Sequence, residues 1–270
     1  MSESSVINPY SAPSSDLSPI TNEQVSLDPR LALARGYDFE IGELLASAWR
    51  KTSGTKGLIW GGFLVAMGAL IAAQIVVYIA AMIFGFGFIG LSAMGGSAGG
   101  GMAIAGFIGM FGAIILSSVV IVALMYPFLA GINMIGIRQA AGQPLHFAEI
   151  FSHFGRTLPL LVAGILMVIA TNIGYMLLIV PGIYLQVALI LTIALIVERR
   201  LSAWQAILVS CKAINQHWFK VFFLLLAMGI LLFVSALPLG IGLIWTVPMF
   251  IVMLGELYQR IFGVLPAPAA

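Results

Sequence analysis

Residues 157–200 read TLPLLVAGILMVIATNIGYMLLIVPGIYLQVALILTIALIVERR. No charged side chain occurs before Glu198, and then Glu198, Arg199 and Arg200 arrive together. A helix rises about 1.5 Å per residue, so about 20 apolar residues cross a hydrocarbon core of about 30 Å. The run is long enough for two crossings, and Pro181-Gly182 near its middle supplies a break between them. The spacing predicts spans over 157–180 and 182–198 joined by a tight turn. The second is short, roughly 24 Å of helix, so it tilts or forms one arm of a re-entrant hairpin.

The same pattern extends outward in both directions. Residues 57–137 and 221–255 also lack any charge, and the whole chain is 61% hydrophobic and 8% charged. Soluble domains carry about 25% charged residues, and a chain of this size cannot hide so much apolar surface in one core. The solvent it is built for is a bilayer. This composition excludes a disulfide scaffold, since Cys211 is the single cysteine, and it excludes a disordered chain. It also excludes a nucleic-acid binder, which needs an excess of phosphate-neutralising cations. Six spans result: 57–84, 106–137, 157–180, 182–198, 218–237 and 239–262. The expected fold is an all-α integral membrane protein whose six transmembrane helices form three hairpins.

If the spans alternate, Arg50, Lys51, Lys56, Arg138, Arg156, Arg199, Arg200, Lys212, Lys220 and Arg260 all fall on one side. Basic residues near span ends mark the cytoplasmic face, so both termini are expected inside a bacterial inner membrane. Glu149, Glu198 and Glu256 join them there. Residues 1–36, rich in Ser, Pro and acids, have too little apolar surface to offset chain entropy and read as a disordered cytoplasmic tail. Residues 264–270 read as a short C-terminal tail. The glycine-dense stretch GFGFIGLSAMGGSAGGGMAIAG, 85–106, reads as an outer loop, because glycine costs a helix up to about 1 kcal/mol relative to alanine.

Each pair of spans follows a short stretch with apolar residues at i, i+3, i+4 and i+7. These are Ile41, Leu44, Leu45 and Ala48; Phe147, Ile150, Phe151 and Phe154; and Trp204, Ile207, Leu208 and Cys211. Such spacing puts four apolar side chains on one helix face. The third stretch also starts with Ser202 and Gln205 at capping-box spacing. We expect three cytoplasmic interfacial helices, each opening a repeat: 37–137, 143–198 and 201–262. An ordinary tendency of juxtamembrane segments to lie on the interface is the simpler account.

Sites for chemistry are sparse. His146, His153 and His217 lack the cysteine or carboxylate set that completes metal-ligand spacing, so no metal and no cofactor is expected. No ionisable residue lies deep in a span, which argues against proton-coupled pumping. No catalytic constellation is present either, so no enzyme is expected. Asn133, Asn172 and Gln186 are candidates for a polar cavity, although such residues more often bond helix to helix. Trp49, Trp204 and Trp218, with Tyr258, lie near the inner boundary and suit headgroup-level anchoring.

YPFLAGINMIGIRQAAGQPLHFAEIFSHF (126–154) and LIVPGIYLQVALILTIALIVERRLSAWQAILVSCKAINQHWF (178–219) resemble a broad group of bacterial inner-membrane proteins. The group includes YciC-type proteins and the membrane domain fused to some glycerophosphoryl diester phosphodiesterases. The most specific elements are Pro181-Gly182-Ile183-Tyr184, the pair Glu198-Arg199 and the helix from Trp204 to Ser210. The resemblance implies an all-helical membrane module with no defined catalytic role. A (β/α)₈ hydrolase of about 250 residues finds no room here. The expected function is a non-enzymatic module that organises membrane lipid, or a membrane or cytoplasmic protein partner, through its cytoplasmic interfacial helices. A transporter or channel for a small uncharged or lipid-like solute, using Asn133, Asn172 and Gln186, is the alternative.

Overall fold

The structure is a computed structural model that describes residues 29–94 and 99–266. Among them every regular element is helical. We number the helices α1 (Pro29–Arg35), α2 (Ile41–Lys51), α3 (Lys56–Met94), α4 (Gly99–Ala140), α5 (Thr157–Leu177), α6 (Ile179–Ala188), α7 (Thr192–Glu198), α8 (Ala203–Asn215), α9 (Trp218–Ala236) and α10 (Leu243–Phe262). Two 3₁₀ turns, Phe147–Phe151 and Phe154–Arg156, join α4 to α5.

Five segments are long and apolar enough to cross a membrane: Lys56–Ile83, Ile108–Ala140, Phe147–Leu177, Ile179–Glu198 and Trp218–Ala236. The chain is thus a polytopic helical membrane protein by length and composition. The expected sixth segment is a helix, α10, but it stands outside that set. Glu256, Gln259 and Arg260 lower its hydropathy, and most of its side chains from Met249 to Phe262 are buried against protein. It is the core helix: Met249, Val252, Met253, Leu257, Tyr258, Ile261 and Phe262 all join the main hydrophobic cluster. Its start also differs from expectation. Trp60 donates from Nε1 to the Ile244 carbonyl at 3.2 Å, and Lys56 lies 5.4 Å over the Trp245 ring. The N-terminal end of α10 therefore sits beside the first turn of α3.

Other boundaries moved for local reasons. The break after α5 falls at extended Leu178, and Pro181 is absorbed into the first turn of α6, where its missing N–H costs nothing. The glycine-rich stretch expected as a loop is helical as far as Met94 and again from Gly99. Only residues 95–98 of it lie outside the described chain. In an apolar run with no competing polar partner, backbone hydrogen bonds outweigh the modest propensity cost of glycine. Residues 1–28 and 267–270, most of the two expected tails, lie outside the described residues. Residues 29–35 form α1, whose Ala32 is buried in the core with Phe39 beyond it.

The three short stretches each pack on a different helix. In α2, Leu44 and Ala48 are fully buried against the protein, and Ile41 and Leu45 are half-buried. Around 147–151 the chain is 3₁₀, held by Ile150 against the glycine gap at Gly131. In α8 the opposite face meets the protein. Ala203, Ala206, Ser210, Ala213 and Ile214 face the protein, while Trp204 is 61% exposed. Small side chains let α8 approach α6 closely enough for Ser210 Oγ to donate to the Ala188 carbonyl at 2.7 Å.

Two contacts recur at a constant offset. Trp218, opening α9, donates from Nε1 to the Tyr184 carbonyl at 3.3 Å, and Trp60, in the first turns of α3, donates in the same way to the carbonyl of Ile244, which lies sixty residues after Tyr184. A Cβ on Gly182 would lie 2.3 Å from the Tyr175 ring, and one on Gly242 would lie 2.7 Å from the Ser235 carbonyl. In both cases the glycine meets the residue seven positions earlier.

Candidate functional site

Contacts among helix ends gather most of the charge. At the first station the amphipathic spacing of α2 puts Ser47 and Lys51 toward α10. Lys51 Nζ lies 2.5 Å from Glu256 Oε1 and 2.5 Å from the Ala140 carbonyl. Gln139 Nε2 donates to the Lys51 carbonyl at 2.6 Å, and Ser47 Oγ donates to Glu256 at 3.1 Å. One turn on, Arg260 meets Glu43 at 3.4 Å. The carboxylate of Glu256 is 5% exposed, and a buried charge needs such partners to survive.

The second station pairs Arg138 of α4 with Glu149 at 3.2 Å, with His153 Nε2 3.7 Å from the same carboxylate. At the third, Arg199 donates to the carbonyls of Phe262 and Gly263 at 2.7 and 3.0 Å and to Glu198 at 3.3 Å. Leu265 N donates to Glu198 at 2.9 Å, and Gln143 Nε2 donates to the Leu265 carbonyl at 2.8 Å. The chain after α10 is thereby strapped across the ends of α4 and α7. At the fourth, Lys220 bonds Asp38, and this hydrogen bond holds the Asp38 carboxyl below its usual range. Beside it, Tyr37 donates to the Ala213 carbonyl at 3.1 Å, and burial pushes its phenol well up. Burial likewise raises the Cys211 thiol.

These pairs leave an imbalance. Of the described acids, Asp38, Glu43, Glu149, Glu198 and Glu256 each hold a cation, and only Glu40 does not. Arg35, Arg50, Lys56, Arg156, Arg200 and Lys212 hold no acid among the described residues. Trp49 and Trp204 are 52% and 61% exposed. Trp218 instead stacks on Tyr184 and Phe222.

The candidate cavity residues are bonded close to home. Asn133 Nδ2 donates to Leu129 one turn back, and Asn172 Nδ2 donates to Val168 in the same way. Gln186 accepts from the Tyr175 hydroxyl at 2.6 Å. A void of about 10 Å³ adjoins Asn133, walled by Ile137, Ile190, Leu191, Ile193, Ala194, Leu254 and Gly255. That is room for about one water, and Asn172 and Gln186 are not on its walls. A larger groove, which sequence reasoning missed, lies between α1 and α8. No signal in the sequence marks it, because it depends on α1 folding back.

The fold defines a polytopic helical membrane protein in which five of the six described acids are held in internal ion pairs. No family model, curated protein or solved structure matches the chain.

Proposed function

We propose that this protein is a non-enzymatic module of a bacterial inner membrane that organises anionic lipid through a cytoplasmic, cation-rich face. The observation that carries the reading is the charge imbalance: five of the six described acids are consumed by internal pairs, and Arg35, Arg50, Arg156, Arg200 and Lys212 remain without an acid among the described residues. Each basic residue near an anionic leaflet contributes about 1 kcal/mol. Exposed Trp49 and Trp204 beside them suit headgroup depth.

The topology in this proposal has both termini in the cytoplasm. Parity supports it. Leu265 bonds Glu198 and Gln143, and this proximity supports an even number of crossings between 198 and 265. With α10 as the sixth membrane-embedded helix, the units 37–137, 143–198 and 201–262 read as repeats. The equivalent Trp60 and Trp218 bonds and the Gly182 and Gly242 contacts support that reading. So does the order of clamping, since each unit's short opening segment packs on an end helix of the preceding unit. The 147–151 turn packs on α4, α8 on α6, and α2 closes the ring on α10.

Lipid extracted with the purified protein tests the function. It should be enriched in anionic phospholipid over the bulk membrane, and the triple variant Arg50→Gln, Arg156→Gln, Arg200→Gln should lose the enrichment. A wild-type lipid profile identical to bulk would overturn the proposal.

A further inference from the structure

The groove between α1 and α8 is open on one side and has a volume of about 230 Å³. Its walls are Leu33 of α1, Leu201 ahead of α8, and Leu208 and Val209 of α8; its polar members are Gln205 and Lys212. The far wall is fixed in place. Gln216 Nε2 donates to the Leu33 carbonyl at 2.8 Å, and Tyr37 ties the chain just beyond α1 to Ala213.

Helix geometry places the polar groups at the groove and not inside a network. Gln205, Val209 and Lys212 follow at i, i+4 and i+7, so they share a face of α8. Gln205 spends its Oε1 on the Ser202 amide at the helix cap, which leaves its Nε2 as a donor. Lys212 has no acid partner among the described residues. Leu208 lines the groove and is 41% exposed, one turn from exposed Trp204, so the groove opens onto the Trp204 side of α8. An apolar trough with a cation and an amide donor on its polar face, beside an exposed indole, matches an amphiphile with an anionic head.

We propose that this groove holds one anionic phospholipid, an acyl chain lying against Leu33, Leu201, Leu208 and Val209 and the phosphate held by Lys212 and Gln205. The inference rests on the lipid-organising reading above and names a particular site within it. Apolar burial supplies the affinity for the chain, and a charge-assisted hydrogen bond selects the head. The surplus cations Arg35 and Arg200 raise the local concentration of anionic lipid without contacting this molecule.

The test is native mass spectrometry of the full chain with phosphatidylglycerol or phosphatidylcholine added. Wild type should retain one phosphatidylglycerol in preference to phosphatidylcholine. Lys212→Glu should lower that retention about five-fold or more, the factor one basic residue supplies at an anionic surface. Val209→Phe, which fills the trough, should lower it without touching any charge, and Lys212→Arg should keep it. Unchanged retention in both Lys212→Glu and Val209→Phe, with the protein's overall anionic preference intact, would overturn the groove site alone. Absence of any such preference in wild type would overturn the broader reading as well. Residues 1–28 hold four acids and no basic side chain, so they are the competing occupant. A zero-length carbodiimide cross-link from Lys212 to one of those acids, with lipid retention indifferent to Lys212, would assign the groove to the chain's own N-terminus.

Discussion

Gly136 and Gly255 bring α4 and α10 together backbone to backbone. A Cβ on Gly255 would stand 2.2 Å from the Gly136 carbonyl oxygen, and one on Gly136 would stand 2.4 Å from that of Ile251. Neither neighbour is a flexible side-chain tip, so the helices themselves must part. Gly255→Ala should therefore lower stability by about 1–3 kcal/mol, the usual cost of overpacking. Gly68→Ala, on α3 with open space around it, should be neutral or stabilising by up to about 1 kcal/mol through helix propensity. Thermal unfolding of the detergent-solubilised protein separates the two, and equal shifts would contradict the crossing. The sequence offers no hint of which glycines matter, because the partners are 119 positions apart. Glu256 was legible only as an acid near an inner boundary. Its burial with Lys51 and Ser47 depends on where α2 docks.

At the scale of elements, hydropathy and charge located the long helices, and proline and charge boundaries came within a few residues. What they could not locate was the face that a short helix turns toward the protein. In α8 the bulky side chains Trp204 and Leu208 stay partly exposed and the small ones pack, since close approach to α6 is worth more than burying bulk. The capping box at Ser202 and Gln205, in contrast, forms as read, because it depends on residues three apart. The repeat reading belongs to this scale. If α3 and α9 open equivalent units, Trp60→Phe and Trp218→Phe should each cost about 1 kcal/mol, the net worth of one hydrogen bond, with similar ring packing retained. The measurement is the unfolding midpoint of each variant. A cost in one and silence in the other would separate the two units.

For the whole molecule, the decisive question is sidedness. In a Cys211→Ser background, Ser97→Cys should react with a membrane-impermeant thiol reagent on intact cells, while Arg200→Cys should react only after permeabilisation. Labelling of both from outside would refute the proposed topology. The alternation of charge-free runs with basic clusters already determines, by itself, that the chain is helical, lives in a bilayer and keeps its charge near helix ends. These are consequences of transfer energy and helix rise, which act on each segment alone. Tertiary structure decided the rest: that α10 is a shielded core helix able to carry Glu256, that five acids are spent on internal pairs, and that α1 returns to wall a groove on α8. Each depends on residues tens to hundreds of positions apart meeting in space, where burial and pairing set the energy and local pattern carries no information about the partner.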